Sequence, residues 1–470
     1  MKYYKIQGAL NTITEDVIKV FKEAREKQKE DQGKSEQLHL VLMDEMGLAE
    51  LSLNNPLKVT HFELEREDDE KVPFVGISNW ALDASKMNRV IYIVVQDPDK
   101  DDLQLTAKEI VKSYDNNSEI YYDKYSKYFK KLSVAYFNFI DNKIQKNDEN
   151  KYFHGSRDFY SLIKNVISDI IKNKNELEKI SKENESDFLI KICMNNIERN
   201  FGGLRDSILI FKSEFIQLFN ELNNNHYPIY DNDNLLEHLK ENIYDTKARF
   251  LLLISDSSIS VDILKYMLEE VNIQIIKDKE NKEEEDINLV KKEVKLFLGS
   301  KFKDDEKSIY YCDDIIYNIK CQMETENILI LKDLEIVYPS LYELFNQSYT
   351  YLFNIKFARL GISKSLSLVN DKFKVIVLVD KENIGKEDPP FINRFEKHIV
   401  SFNNILNQEL LDIVEDVKII IEDIKSSISQ INEYQKKVND NYNQNLLNTN
   451  IKFINQEEIA GLVYIASKKE

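Results

Sequence analysis

The chain has 470 residues, with 64 Lys and Arg against 82 Asp and Glu and a formal net charge of -18; that length exceeds one ordinary core and implies two or three domains. So acidic a balance disfavours a nucleic-acid or anionic-membrane partner, because phosphate binding needs clustered Lys and Arg. Cys193, Cys312 and Cys321 form no C-x-x-C pair and stand at no ligand spacing from a histidine, which argues against structural zinc or a disulfide framework and fits a reducing compartment. The first ten residues hold no secretory signal, and no apolar run approaches the roughly 20 residues that span a bilayer. A cytoplasmic protein without a transmembrane segment is expected.

In chain order, strand-length apolar runs alternate with segments of helical period, the pattern of a parallel sheet flanked by helices. "KYYKIQ" reads as a strand, "TEDVIKVFKEAREKQKE" as a helix opened by Thr14, "HLVLM" as a buried strand and "PFVGIS" as another. From about Asp101 to Asn200 the period is almost purely helical, suggesting a helical subdomain. Within it the tyrosine-rich stretch Tyr121 to Phe129 reads as a half-buried helix face rather than a stacking platform. The order then recurs: "ARFLLLIS", "VKLFLGS", "NILILKDLE" and "FKVIVLVD" are strands separated by helical stretches, and a helical tail follows from about Asn404. Each sheet unit closes on an apolar strand, a loop and a Met/Ile-Asn-Arg triplet, so an internal duplication of an α/β module of about 200 residues is expected. The Lys- and Glu-rich run 277–288 reads as a solvated insertion.

Asp44 and Glu45 follow four apolar residues, at the carboxyl end of a strand, where parallel sheets bind ligands. Adjacent residues on a strand point to opposite sides, so the two carboxylates can divide labour: Asp44 to hold Mg²⁺ through water, Glu45 to orient and deprotonate an attacking water. On this stretch alone a strand running into its solvent cap is the stronger reading. Asn79, ending the next buried strand, can hydrogen-bond both a terminal phosphate and the water. Arg89, ten residues on, can reach a phosphate as a finger. Asn79 as a turn cap and Arg89 paired with Asp83 are the competing readings.

"DEMGLAELSLNNPLKVTHFELE" with "FVGISNWALDASKMNR" closely resembles the third AAA+ unit of the mysterin-type giant RING E3 ubiquitin ligases, which have a dynein-like AAA+ core. "FHGSRDFYSLIK" and "ERNFGG" look like that unit's lid, while "KCQMETENILILKDLEIVYPSLYELFNQSYTYL" and "DPPFINRFEKHIV" look like the fourth unit. The resemblance runs from about Tyr4 to Leu406. It implies tandem AAA+, P-loop NTPase-like α/β modules, each a parallel sheet flanked by helices with a helical lid. The implied division is an α/β subdomain over 1–100, its lid over 101–206, a second α/β unit over 207–403 and the start of a second lid over 404–470. ATP and Mg²⁺ are the implied cofactors. Asp44 and Glu45 would be the Walker B pair, Asn79 sensor 1, Arg89 the arginine finger, and Arg157 the lid's sensor 2. Without the resemblance Arg157 reads as an ion-pair partner of Asp158.

The sequence also departs from that pattern. No G-x-x-x-x-G-K-[ST] occurs, so a tight ATP site is hard to build from these residues alone. "YYKIQG" looks like the first module's second strand, so its first strand, phosphate loop and first helix are expected upstream. In the second module "LLLISDSSISVDIL" has serines where glycines and a lysine should stand, Lys332 precedes Asp333 without an adjacent acidic pair, and Asp380 replaces the sensor Asn. That module is expected to be degenerate and structural. Its Arg394 would serve the first module's nucleotide, or pair with Glu396 or Glu387. His61 and His398 read as ordinary surface or helix residues. Nothing resembles a RING module, so ubiquitin transfer would fall outside the chain, with neighbouring AAA+ units of the same ring as partners. The alternatives are a non-catalytic AAA+ assembly module without ATP turnover and, less consistent with the charge, a metal-dependent nuclease.

Overall fold

The structure is a computed structural model. It describes residues 1–8, 12–31, 37–68, 70–115, 118–146, 150, 152–223, 227–229, 235–255, 261, 263–269, 292–300, 302, 305, 308–360, 366–384, 389–401, 405–438 and 456–467. The serine-bearing stretch that follows Ser255 and the run 277–288 lie outside the described residues.

The chain divides into two compact units. The first comprises residues 1–97, 300–324 and 334–369. It holds strands β1 (Lys2–Gln7), β2 (His39–Asp44) and β3 (Phe74–Gly76) with helices α1 (Thr14–Asp31), α2 (Met46–Glu50), α3 (Lys58–Glu65) and α4 (Ala84–Met87). The strands form a parallel sheet in the order β1-β2-β3. Along β2 the burial alternates, with His39, Val41 and Met43 buried and Leu40, Leu42 and Asp44 partly exposed. Val17, Val20, Phe21 and Ala24 of α1 recur at helical spacing and cover the buried face with Ile6, Val41 and Met43. A small antiparallel sheet, β7 (Thr350–Leu352), β8 (Ile355–Arg359) and β9 (Leu366–Leu368), belongs to the same unit.

The second unit comprises residues 98–299, 325–333 and 370–470. It opens with helices α5 (Lys100–Tyr114), α6 (Ser118–Gln145), α7 (Ser156–Lys172), α8 (Lys174–Leu177), α9 (Lys182–Asn200), α10 (Arg205–Asn223) and α11 (Leu235–Tyr244). A capping box at Asp99 and Asp102 starts α5. Tyr122, Tyr125 and Tyr128 of α6 are buried in an aromatic core with Phe129, Phe159, Phe201, Phe211 and Phe219, so the tyrosine-rich stretch is a packing face. A five-stranded parallel sheet follows, in the order β11-β4-β10-β6-β5, from β4 (Leu251–Ser255), β5 (Val294–Leu298), β6 (Ile328–Lys332), β10 (Lys374–Asp380) and β11 (Glu396–Val400). β4 and the first six residues of β10 are buried throughout, as strands covered on both faces must be. The tandem α/β fold expected from sequence is therefore present.

The two parallel sheets share one register. Gln7 of β1 stands opposite Asp44 of β2, and Leu298 of β5 stands opposite Lys332 of β6. The next residue in each first strand, Gly8 or Gly299, donates its N–H to the carbonyl of Asp44 or Lys332 at 2.8 Å. The residue after each second strand is left-handed, Glu45 with φ 50° and Asp333 with φ 56°. Counting along β3 and β10 from Met43↔Gly76 and Lys332↔Leu378 then puts Asp380 at the place of Asn79. In the second sheet β4 lies between β10 and β11. The first sheet has no counterpart of β4 among the described residues. The segment that follows its Asn-Arg, Val90 to Val95, is in no strand and exposes Ile91 at 92% and Val95 at 90%.

Candidate functional site

Three of the expected residues meet at the carboxyl ends of β2 and β3. Asp44 is the last residue of β2, on its half-buried face, and one carboxylate oxygen, Oδ1, accepts the Glu45 N–H at 3.0 Å. Glu45 takes the left-handed conformation that turns the chain sharply into α2. The turn is held from two sides: Met46 N–H donates to the Ile77 carbonyl at 2.8 Å, and Gly8 packs so closely that a Cβ there would lie 2.3 Å from the Glu45 carbonyl oxygen. Asn79, on the loop after β3, donates its side-chain N–H to Glu45 Oε2 at 2.9 Å. Asn79 is thus bonded to the carboxylate expected to handle water; Asn79 is exposed and Glu45 half-buried.

The remaining oxygen of Asp44, Oδ2, lies 3.4 Å from Lys5 Nζ. Lys5 Nζ also lies 3.2 Å from Glu343 Oε1. Among the described residues no three His, Cys, Asp or Glu side chains group to hold a metal ion. A cation at Asp44 would therefore have one hard carboxylate donor here and complete its shell with water and nucleotide oxygens, the usual habit of Mg²⁺. The ammonium already beside Oδ2 shows that this spot accepts positive charge.

The arginines are placed differently. Arg89, just past α4, donates Nε to Glu65 Oε1 at 2.5 Å and Nη1 to the Ser85 carbonyl, while Asp83 caps α4 and pairs with Lys86. The alternative pairing of Arg89 with Asp83 is replaced by one with Glu65. Arg157 lies in the first turn of α7, in the second unit, and is exposed. Its neighbour Asp158 is fully buried and receives Lys397 Nζ at 2.8 and 2.9 Å and Arg249 Nη1 at 2.8 Å. Arg394 is buried, with Nη1 donating to the Pro390 carbonyl. Glu396, one of its suggested partners, accepts instead from Arg199 Nε at 3.0 Å and Asn242 at 2.8 Å; Glu387 lies outside the described residues. His398 is not a surface residue: it is buried in β11, 3.2 Å from Glu396 Oε1 and stacked on His238.

In the second sheet the equivalent strand ends carry a different chemistry. Lys332 Nζ binds Asp380 Oδ1 at 2.6 Å, so an ion pair spans β6 and β10 at the places that Asp44 and Asn79 hold in the first unit. The register that equates these residues, and the role of Lys5 at Asp44, could not be read from spacing. Lys5 gave no signal beyond a lysine on a strand.

Parallel sheets flanked by helices, duplicated in one chain and presenting strand-end carboxylate and Asn side chains together, define a tandem AAA+ protein. Residues 1–102 and 240–406 each match a model of the RNF213 AAA domain. The chain is 31% identical to the E3 ubiquitin-protein ligase RNF213 of Mus musculus over 435 residues, 32% to rnf213-beta of Danio rerio over 397, and 30% to RNF213 of Homo sapiens over 412. These alignments take in 88%, 82% and 82% of this chain and 7% of each relative. The chain belongs to the RNF213 AAA family, and it spans about 7% of the length of the curated relatives it matches. Among the described residues no helix is long and apolar enough to cross a membrane.

Proposed function

We propose that this chain is the AAA+ core segment of an RNF213-like E3 ubiquitin ligase, coupling ATP hydrolysis to motion of a ring of AAA+ units. Ubiquitin transfer falls to regions outside these residues, and the setting is the cytoplasm. The observation that carries the reading is the hydrogen bond from Asn79 to Glu45 beside Asp44, at the carboxyl ends of adjacent parallel strands. That is where a nucleotide's terminal phosphate and its attacking water meet in such sheets.

When bound, ATP with Mg²⁺ supplies the electrophilic phosphate and the charge that polarises it. Asp44, whose Oδ2 lies beside the Lys5 ammonium, would hold the cation through water. Glu45 orients the attacking water and accepts its proton. Asn79, donating to Glu45, fixes the angle of that carboxylate and keeps a hydrogen-bonding group beside the phosphate. Arg157 is the lid's nucleotide sensor. Arg89 and Arg394 act as fingers toward neighbouring units, each exchanging its present partner, Glu65 or the Pro390 carbonyl, for phosphate. The phosphate-binding half is not supplied by a G-x-x-x-x-G-K-[ST] of this sequence, and among the described residues no counterpart of β4 stands beside β3. The division into 1–100, 101–206, 207–403 and 404–470 belongs to the same proposal.

The test is Glu45→Gln in a protein that also carries the phosphate loop. ATP should bind and remain unhydrolysed; undiminished hydrolysis would remove Glu45 from the mechanism. The second reading, a non-catalytic assembly module, is favoured by the Lys332–Asp380 pair, which puts an ammonium at the place of Asp44 and ties up the Asp380 carboxylate. No turnover by the unsubstituted protein would select it.

A further inference from the structure

Lys5 is shared between two carboxylates of different standing. It projects from β1 opposite Leu42 of β2, on the face that Asp44 also occupies two residues later. Its Nζ lies 3.4 Å from Asp44 Oδ2 and 3.2 Å from Glu343 Oε1, and Lys5 and Glu343 are largely screened, with side-chain exposures of 22% and 15%. Glu343 sits on the short helix Tyr342–Phe345, whose Tyr342, Leu344 and Phe345 are buried. Just before it, the Pro339 carbonyl accepts a weak hydrogen bond of 3.5 Å from Gln7, two residues along β1 from Lys5. The segment 338–345 therefore lies along the same face of β1, and Lys5 is its ionic link to the strand-end carboxylate.

We propose that Lys5 is a placeholder and relay for the cation at Asp44. With no metal bound it neutralises Asp44 and shares itself with Glu343. A divalent cation held at Asp44 through water offsets that negative charge and repels the ammonium, which transfers wholly to Glu343. Lys5 need only shift between two oxygens already within 3.4 Å of its nitrogen, so loading of the site is passed to segment 338–345 without rearrangement of the sheet. The second module lacks the device. Its register puts Leu296 at the place of Lys5 and Lys332 at the place of Asp44, so the ammonium is built into the strand end and has no metal carboxylate to yield. The inference rests on the reading of Asp44 as the metal carboxylate.

The experiment is a Mn²⁺ titration of the full 470-residue chain labelled with ¹³C-methyl methionine, read by paramagnetic broadening of Met43 and Met46, which flank Asp44 and Glu45. Broadening in the wild type that Asp44→Asn abolishes supports the metal reading; no such broadening, or broadening that persists in Asp44→Asn, overturns it. Lys5→Met should tighten Mn²⁺ binding roughly three- to fivefold, the worth of one partly exposed charge contact. Glu343→Gln should weaken it, because Lys5 then has only Asp44 to bind, and the double variant should match Lys5→Met. Lys5→Arg, which keeps the charge and is melted alongside as the folding control, should stay near wild type. Sensitivity to Asp44→Asn with no tightening in Lys5→Met would overturn the relay and leave the metal reading standing.

Discussion

Glu45 shows how much of a site depends on one unusual backbone angle. A left-handed glutamate costs of order 1 kcal/mol or more, and it persists only where neighbours over-determine it. Here the Asp44 carboxylate, the Ile77 carbonyl and the close approach of Gly8 do so. A different residue answers to pH. His154 is buried, its Nε2 lies 3.1 Å from the Gly202 carbonyl, and burial first, then Lys397, Lys143 and Arg249, push its pKa well below the ordinary 6.5. A histidine whose folded pKa is depressed contributes stability that is present above the unfolded value and lost as pH falls beneath it. The melting temperature should therefore drop as pH falls from 6.5 toward about 5, and His154→Gln should flatten that slope. An unchanged slope would exclude His154 as its source. The sequence named Asp44, Glu45 and Asn79 because their order and spacing survive without a structure. It could not name Lys5 or Glu343, which are 338 positions apart and meet only through packing.

Strand β11 shows why some elements escape a reading by hydropathy. Glu396, Lys397 and His398 are consecutive and buried, a composition that does not look like a covered strand. Each is instead matched by a partner from the helical subdomain or from the residues around β4. Arg199 outweighs burial and holds the Glu396 carboxyl far below its usual range, and Asp158 at the start of α7 takes both contacts from Lys397. The seam is also tight. At Gly202 a Cβ would lie 2.2 Å from the Lys397 carbonyl oxygen, so only glycine fits there. Removing one partner of a buried pair typically costs about 3–5 kcal/mol, since the other charge is left without compensation. Lys397→Met should lower the unfolding free energy of the chain, measured by denaturant titration, by an amount in that range, although Arg249 still reaches Asp158. A loss below about 1 kcal/mol would mean that Arg249 alone satisfies Asp158. The apolar strands β4, β6 and β10 were legible for the opposite reason: burial on both faces writes itself as continuous apolar sequence.

At the scale of the molecule, the duplication was visible in sequence from two Asn-Arg triplets and the order of strands, and the shared register gives it a residue-by-residue form. The three-residue length of β3 and the assignment of residues 300–324 and 334–369 to the first unit were not visible, because both depend on which surfaces pack. The whole chain should show no tight Mg-ATP binding by calorimetry. The first module lacks a phosphate loop within these residues, and the second answers with an ion pair. Tight binding that survives Asp44→Asn would instead assign a working site to the second module.

Asp333 adds a last point. Its left-handed turn is the one that Glu45 makes, supported by the same glycine N–H bond to the preceding carbonyl, although the ion pair of Lys332 with Asp380 stands where Asp44 and Asn79 stand in the first sheet. One bend therefore carries two different sets of side chains. In this pair of modules the backbone is the constant part and the side chains the variable part. The correspondence between them is read more safely from where the chain bends than from which acid or amide stands at the bend.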